Sequence, residues 1–493
     1  MKSAASPLHK VLNPDCVAVV GASDEQERLV SVNSVSSVAK HFMSTPYDPL
    51  FAPTPGTGLD HPASYWAATA GPLPADDGPA PPRVETEVAI IGGGYTGLSC
   101  AHHLARHYGI KPVVLEANRP GWGCSGRNGG FARMALGRLT AAQMIELWGR
   151  DIAKRAFGET MNSLNTVRDM IREGGIECDA SEAGHLRIAH RASRAPELKA
   201  EAGLLQCEFE YPAEFLSAEE VQARHIGGTQ SHGALRIPDA LALHPLKLSL
   251  GVLRTARAAG ATVHPASPVT GWTKRGAEHV LATPCGEVRA KTVVLATNGY
   301  TPQHLHPAVR ATLFPVLSHI IVTRPLTADE IRGTNFVTRH VLTDARKLLY
   351  YWRRLPDDRV MFGGRGLITD APGMNVRQRD YLLSELKAKL PGLENVTVDY
   401  DWHGWVCLTR DFLPHIYHAQ DDRSVHYALG YQGSGVSLSL YAGKLLARRV
   451  AGDRIENPIP PLATPLARFP LHRLLRVAQR TMYHWYKFRD NTD

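Results

Sequence analysis

Six consecutive residues, Gly92-Gly93-Gly94-Tyr95-Thr96-Gly97, fit the pattern G-x-G-x-x-G. Gly92 permits a tight turn, Gly94 lets the backbone approach a pyrophosphate, and Gly97 lets the next helix pack closely on the preceding strand. That helix starts with Tyr95 and Thr96 and offers free N–H groups and a positive dipole end to an anion. Glu116, with Ala117 beside it, follows at about 20 residues, where an acid accepts hydrogen bonds from both ribose hydroxyls and disfavours a 2′-phosphate. The chemistry implied is dinucleotide binding, by NAD or FAD.

The elements that must position these residues read as α/β from residue 85 onward. An apolar strand at 88–91 leads into the glycines. A helix then runs through Leu104 with Cys100 and Ala101 on its packing face, and a second strand covers 112–116. Residues 141–174 read as helical, with Met144, Ile145, Leu147 and Trp148 on an apolar face. A helix at 246–259 ends at Gly260, a left-handed cap, and strand-like runs follow at 261–264 and 292–296. Between 305 and 400, strand-like runs such as 320–323 alternate with loops, and a Gly-rich turn at 430–435 opens a helix to about Arg449. Chemistry-bearing segments flank this middle region, so one domain is expected to be split by another. The expected organisation is an extension and linker at 1–83 and a discontinuous dinucleotide domain at 84–178, 236–300 and 401–455. An inserted antiparallel-sheet substrate domain takes 179–235 and 301–400, and a basic tail helix takes 456–493. The fold class is α/β, α+β overall.

Composition narrows the alternatives. With 493 residues, 44% hydrophobic and 21% charged, the chain buries a core without staples. Seven cysteines, odd in number and without a CxxC pair, speak against a disulfide framework or a metal site. The formal charge of +8 is spread over the sequence, so nucleic acid is not an expected partner. No run approaches the roughly 18 apolar residues of a membrane span and no signal peptide opens the chain; a cytoplasmic setting is expected. Residues 17–20 read as a short strand before Gly21, similar to the start of the CoA-binding domain of ADP-forming acyl-CoA synthetases; no amphipathic helix and second strand follow, so a short strand docking the extension onto the main body is the expected reading. Residues 469–489 read as a basic amphipathic helix; contact with a membrane surface is one reading of such a helix, and packing on its own domain with its arginines outward is the expected one.

Four ordered segments decide the cofactor. Trp122-Gly123-Cys124-Ser125-Gly126-Arg127-Asn128-Gly129-Gly130 resembles the flavin-contacting loop of the D-amino-acid-oxidase-like family of FAD oxidoreductases (the glycine/sarcosine oxidase superfamily). Within that family it is most similar to the γ-glutamylputrescine oxidoreductase branch. Ser125, Gly126, Asn128, Gly129 and Gly130 supply polar groups and bare backbone, and Arg127 supplies fixed positive charge. The segment ending at Val269, the strand-turn bearing Thr297 and Asn298, and the loop Gly433-Ser434-Gly435-Val436-Ser437 match the same family in order. The resemblance covers about residues 85–455. It implies FAD, non-covalently held, with the last helix aiming its N-terminus at the flavin pyrimidine carbonyl.

The resemblance also implies the reaction: hydride leaves the carbon next to a substrate nitrogen, and the resulting imine hydrolyses. Oxygen or another acceptor then takes the electrons. The position of a glycine oxidase's carboxylate-binding Arg falls on Val406, and that of a sarcosine oxidase's oxygen-activating Lys falls on Ser437. The tethering cysteine would fall near Gly404, leaving Cys407 as a buried hydrophobe. These departures point past small α-amino acids to a longer amine of the γ-glutamylputrescine kind. An oxidase for D-amino or N-methyl amino acids is the alternative enzyme, and a non-catalytic FAD-bound subunit the alternative class. Tyr351, within the aromatic run 350–352, and Arg133 are the candidate substrate-facing residues, the first through cation–π contact and the second through a distal substrate carboxylate. No sequence feature sets an oligomeric state.

Overall fold

The computed structural model describes residues 47–371, 373–456 and 458–492; the strand-like run 17–20 lies outside them. An eight-stranded sheet carries the dinucleotide fingerprint. Its parallel centre runs Thr262–His264, Val113–Leu115, Arg83–Ile91, Gly286–Leu295 and Val425–Leu429. The buried apolar run 88–91 sits between two parallel neighbours, as a strand covered on both faces must. An antiparallel hairpin, Gly271–Arg275 with Glu278–Thr283, extends the sheet along the first half of Gly286–Leu295. Helices Tyr95–Tyr108, Pro245–Ala258 and Gly435–Val450 cover one face.

The second eight-stranded sheet is ordered Val398–Leu408, Phe314–Pro325, Arg359–Arg365, Tyr351–Arg354, Val341–Asp344, His185–Ile188, Ala234–Ile237, Glu214–Leu216. It is antiparallel except where Val341–Asp344 pairs parallel with His185–Ile188. The boundary expected at residue 401 is corrected: Val398–Leu408 is one strand, paired along its length with Phe314–Pro325 in this sheet. Two helices that periodicity did not reveal, Ala195–Phe209 and Met374–Lys389, flank it.

Three further expectations change. The helix read across 141–174 is two, Ala141–Trp148 and Arg150–Glu173, broken at Gly149, whose φ of +78° is left-handed. The linker before residue 83 is strapped down: Asp77 accepts from the Arg257 guanidinium at 2.6 Å and from the Val263 N–H at 2.7 Å, and Ala80 N–H donates to Ser267 Oγ at 2.8 Å. The tail helix, Leu475–Thr492, packs inward through Leu475, Gln479, Tyr483 and Asp490. Its opposite side nevertheless leaves Leu474, Val477, Trp485 and Phe488 in solvent. Among the described residues no helix is long and apolar enough to cross a membrane.

The first and last nucleotide-domain helices cross where Gly443 meets Ser99 and Thr96. A Cβ at Gly443 would lie 2.6 Å from both Ser99 Cβ and Thr96 O. Gly443→Val is therefore expected to cost about 1–3 kcal/mol through overpacking, read as a lower urea midpoint. Gly158→Ala, in a helix where an added Cβ meets nothing within 4 Å, should instead gain up to about 1 kcal/mol.

Candidate active site

A cavity of about 960 Å³ runs from the end of the parallel sheet to the second sheet. At its first end, Gly92 turns the chain at φ +109°. Gly97 lies so close to this turn that a Cβ there would sit 1.9 Å from Gly92 O, so any side chain at Gly97 would break the strand–helix contact. Glu116 Oε2 accepts the Gly93 N–H at 2.6 Å and Oε1 accepts the Asn118 N–H at 3.0 Å. Burial raises its carboxyl pKa despite these bonds. Ala117, Pro268 and Val269 line the same end, with Thr54 and Pro55 from the N-terminal segment. That segment is tied in place by Gly58 N–H to Ala117 O at 2.8 Å and Leu59 N–H to Asn118 Oδ1 at 2.9 Å.

The middle of the cavity is the loop 122–130. Asn128 braces it from within: its Nδ2 donates to Cys124 O and Ser125 O, both at 3.0 Å, and its Oδ1 accepts the Gly130 N–H at 2.8 Å. Two indoles hold it from outside. Trp66 Nε1–H donates to Asn128 O at 2.8 Å, and Trp402 Nε1–H donates to Arg127 O at 2.8 Å; the rings meet edge-on at 6.1 Å. The Arg127 guanidinium stacks 4.1 Å over Trp122 and donates to Trp122 O at 2.7 Å. Ser125 Oγ accepts the Tyr95 N–H at 2.9 Å at the helix N-terminus. Asn298 Oδ1 accepts the Gly430 N–H at 2.9 Å, joining the two loops that close the far end, where Thr297 and residues 433–436 line the wall.

The expected residues divide by role. Gly92, Gly94, Tyr95, Thr96, Glu116, Ala117, Ser125, Arg127, Asn128, Gly129, Val269, Thr297, Asn298, Gly433, Ser434, Gly435 and Val436 line the cavity, as do Tyr351 and Arg133. Gly97, Gly126, Gly130 and Ser437 do not, and their expected cofactor contact becomes support. Gly126 and Gly130 lie against Gly121 O and Leu243 O, leaving no room for side chains, and Ser437 Oγ donates to Arg133 O at 2.6 Å. Thr96 lines the cavity, but its hydroxyl is spent on Tyr431 OH at 2.6 Å. Of the aromatic run, only Tyr351 faces the cavity, because alternate strand residues point to opposite faces; Tyr350 and Trp352 pack into the core on the other side. Gly404 and Val406 line the cavity while Cys407 points into an apolar cluster.

These residues fit FAD. The carboxylate stands at one end, the glycine turn and a helix N-terminus come next, and a second helix N-terminus after Ser434 closes the other end. Glu116 and Ala117 would hold the ribose, the turn at 92–97 the pyrophosphate, and the loops at 122–130 and 433–436 the flavin.

The cavity also carries cations beside carboxylates such as Glu197, Glu201 and Asp239 on its wall. Arg133, Arg138 and Arg365 line it, and no described carboxylate forms an ion pair with any of the three. The neighbouring Arg187 is by contrast paired with Glu201 at 2.7 Å. Burial pulls the pKa of Arg133 down to about 10, with the Arg187 charge adding to it. Arg138 falls to about 10 for the same reason, with Arg365 next. Arg138, Arg365, Trp66 and Pro55 were missed from sequence. Trp66 and Pro55 sit in a segment without periodicity, and an Arg after a glycine loop looks the same whether it faces solvent or a cavity.

This geometry defines a flavin-dependent oxidoreductase. Residues 87–449 match the family model "FAD dependent oxidoreductase", and the chain belongs to that family. It is 31% identical over 433 residues to the γ-glutamylputrescine oxidoreductase of Escherichia coli, covering 87% of this chain and 99% of that one. It is 24% identical to a glycine oxidase of Bacillus licheniformis, covering 76% of this chain and 95% of the relative. The solved glycine oxidase of Geobacillus kaustophilus superposes with a TM-score of 0.64 at 19% identity, over 78% of this chain and all of that one (100%).

Trp66→Phe keeps the ring and removes the N–H that satisfies Asn128 O. Leaving that carbonyl unpaired costs about 1–3 kcal/mol, so FAD retention should weaken by roughly tenfold, measured by flavin fluorescence on dilution.

Proposed function

We propose that this oxidoreductase oxidises the C–N bond of a long amine carrying a carboxylate at its far end, γ-glutamylputrescine or a close analogue, to an imine that then hydrolyses. The observation that carries the reading is a cavity whose wall holds, with Tyr351, the arginines Arg133, Arg138 and Arg365, none of them in an ion pair with a described carboxylate. The 31% identity to the E. coli enzyme, over 99% of that enzyme's length, supports it.

Bound FAD supplies the hydride acceptor. The chain's own residues bind and orient the amine. Phe131, Ile320 and Val406 line the cavity with Tyr351, and such apolar surroundings disfavour an ammonium, so the amine is held neutral. Tyr351 Oη shares a 2.9 Å hydrogen bond with Ser318 Oγ, and burial raises its pKa to about 12. The phenol stays protonated at neutral pH and orients the amine. Val406 offers no donor near the reacting carbon, so a carboxylate finds its partners only further along, at the arginines. A substrate anion there removes the cost of three partly buried, unpaired cations. Cys407, turned away from the cavity, supports non-covalent FAD.

The FAD-loaded protein is expected to lose its yellow absorbance anaerobically with γ-glutamylputrescine. Bleaching by sarcosine or D-alanine but by no γ-glutamyl amine would overturn the reading. Arg133→Ala should raise KM for the carboxylate-bearing amine by about 10- to 100-fold, the value of one charged hydrogen bond. Its effect on kcat, and on putrescine, which has no carboxylate, should be small.

A further inference from the structure

Leu474, Val477, Trp485 and Phe488 are 54%, 62%, 55% and 58% exposed. They stand three, eight and three residues apart, spacings that place them on one face of the tail helix and the turn that leads into it. Leu471, 77% exposed, lies just before them. Four large apolar side chains aligned in water are not the ordinary scatter of surface hydrophobics.

The charges around this face have one sign. Arg473, Arg480, Lys487 and Arg489 are exposed, and residues 471–488 contain no Asp or Glu. The sole acid of the described helix, Asp490, is buried, accepting the Lys347 and Leu348 N–H groups at 2.8 and 3.1 Å. The inner side is anchored as well, by Arg476 on Asp48 at 2.5 Å. The helix is therefore fixed on the protein by one face and presents the other.

From this arrangement we propose that the tail helix docks the protein on an anionic phospholipid surface, with Leu474, Val477, Trp485 and Phe488 entering the interface and the basic flanks meeting lipid phosphates. Apolar and basic groups in this disposition are what an interfacial helix uses. Charge decides the occupant. A second copy related by a two-fold axis would bring the same arginines onto themselves. Residues 1–46 hold four Lys or Arg and four Asp or Glu, so they carry no net charge to complement the face. The helix also supplies Tyr486 to the cavity wall, which sets the docked lipid beside the substrate cavity.

The test is co-sedimentation of the full FAD-loaded chain with phosphatidylglycerol vesicles and with phosphatidylcholine vesicles. Binding to the anionic vesicles alone is expected, lost in high salt, and at least tenfold weaker for the double variant Val477→Asp, Trp485→Glu. That variant should keep its flavin absorbance and amine bleaching, showing that it is folded. No binding to phosphatidylglycerol at low salt would overturn the proposal, as would undiminished binding by the variant. A dimer by light scattering that the variant dissociates, without lipid binding by either form, would assign the face to self-association instead.

Discussion

The loop at 122–130 lies where the two sheets meet, and it has almost no backbone ladder to satisfy its polar groups. Buried carbonyls need donors, and here they come from one side chain of the loop itself and from two on distant segments. Asn128 braces the loop locally, Trp402 reaches in from the second sheet, and Trp66 reaches in from the N-terminal segment. Arg353 holds the neighbouring turn by donating to Leu243 O at 2.6 Å. A loop fixed in this way carries fixed groups toward a cofactor at no cost of ordering during binding. The price is that distant parts of the chain must be in place before the site exists.

That dependence explains what could be read from the sequence. The fingerprint at 92–97, the acid at 116 and the parallel strands around them are local patterns, each specified by a few adjacent residues, and the structure reproduces them. The end of the second sheet was misplaced because residues 401–408 carry family signals for the cofactor domain while their hydrogen bonds go to Phe314–Pro325. Nothing in a strand's own residues names its neighbour. Helices Ala195–Phe209 and Met374–Lys389 are not legible in the sequence because their few buried positions, though helically spaced, form no clean apolar stripe: the first buries Leu198, Ala202 and Leu205, and the second includes Gln378 and Lys389 among its four.

The substrate end was the least legible. Tyr350, Tyr351 and Trp352 form one aromatic run in the sequence, and strand alternation puts only Tyr351 of the three on the cavity wall. Arg133 is a candidate for a distal substrate carboxylate from sequence, yet nothing local separates it from a solvated arginine; its meaning comes from Arg138 and Arg365, which line the same cavity and form no ion pair with a described carboxylate. A paired arginine such as Arg187 is structural, and an unpaired buried one leaves a charge without a partner. Sequence reveals residue types, whereas this distinction is a property of what surrounds them.

Both ends of the described chain close over this cavity. Tyr47 stacks on Tyr300 at 6.2 Å, Asp48 holds Arg476 of the tail helix, and Thr54 and Pro55 complete one cavity wall as Tyr486 completes another. A ligand that fills the cavity touches walls made by both ends, so its binding free energy stabilises their docking. The coupling is reciprocal: whatever holds the tail helix in place also favours the filled cavity. The ion pair between Asp48 and Arg476 is thus the mechanical link between the cofactor end of the site and the outward face of the tail.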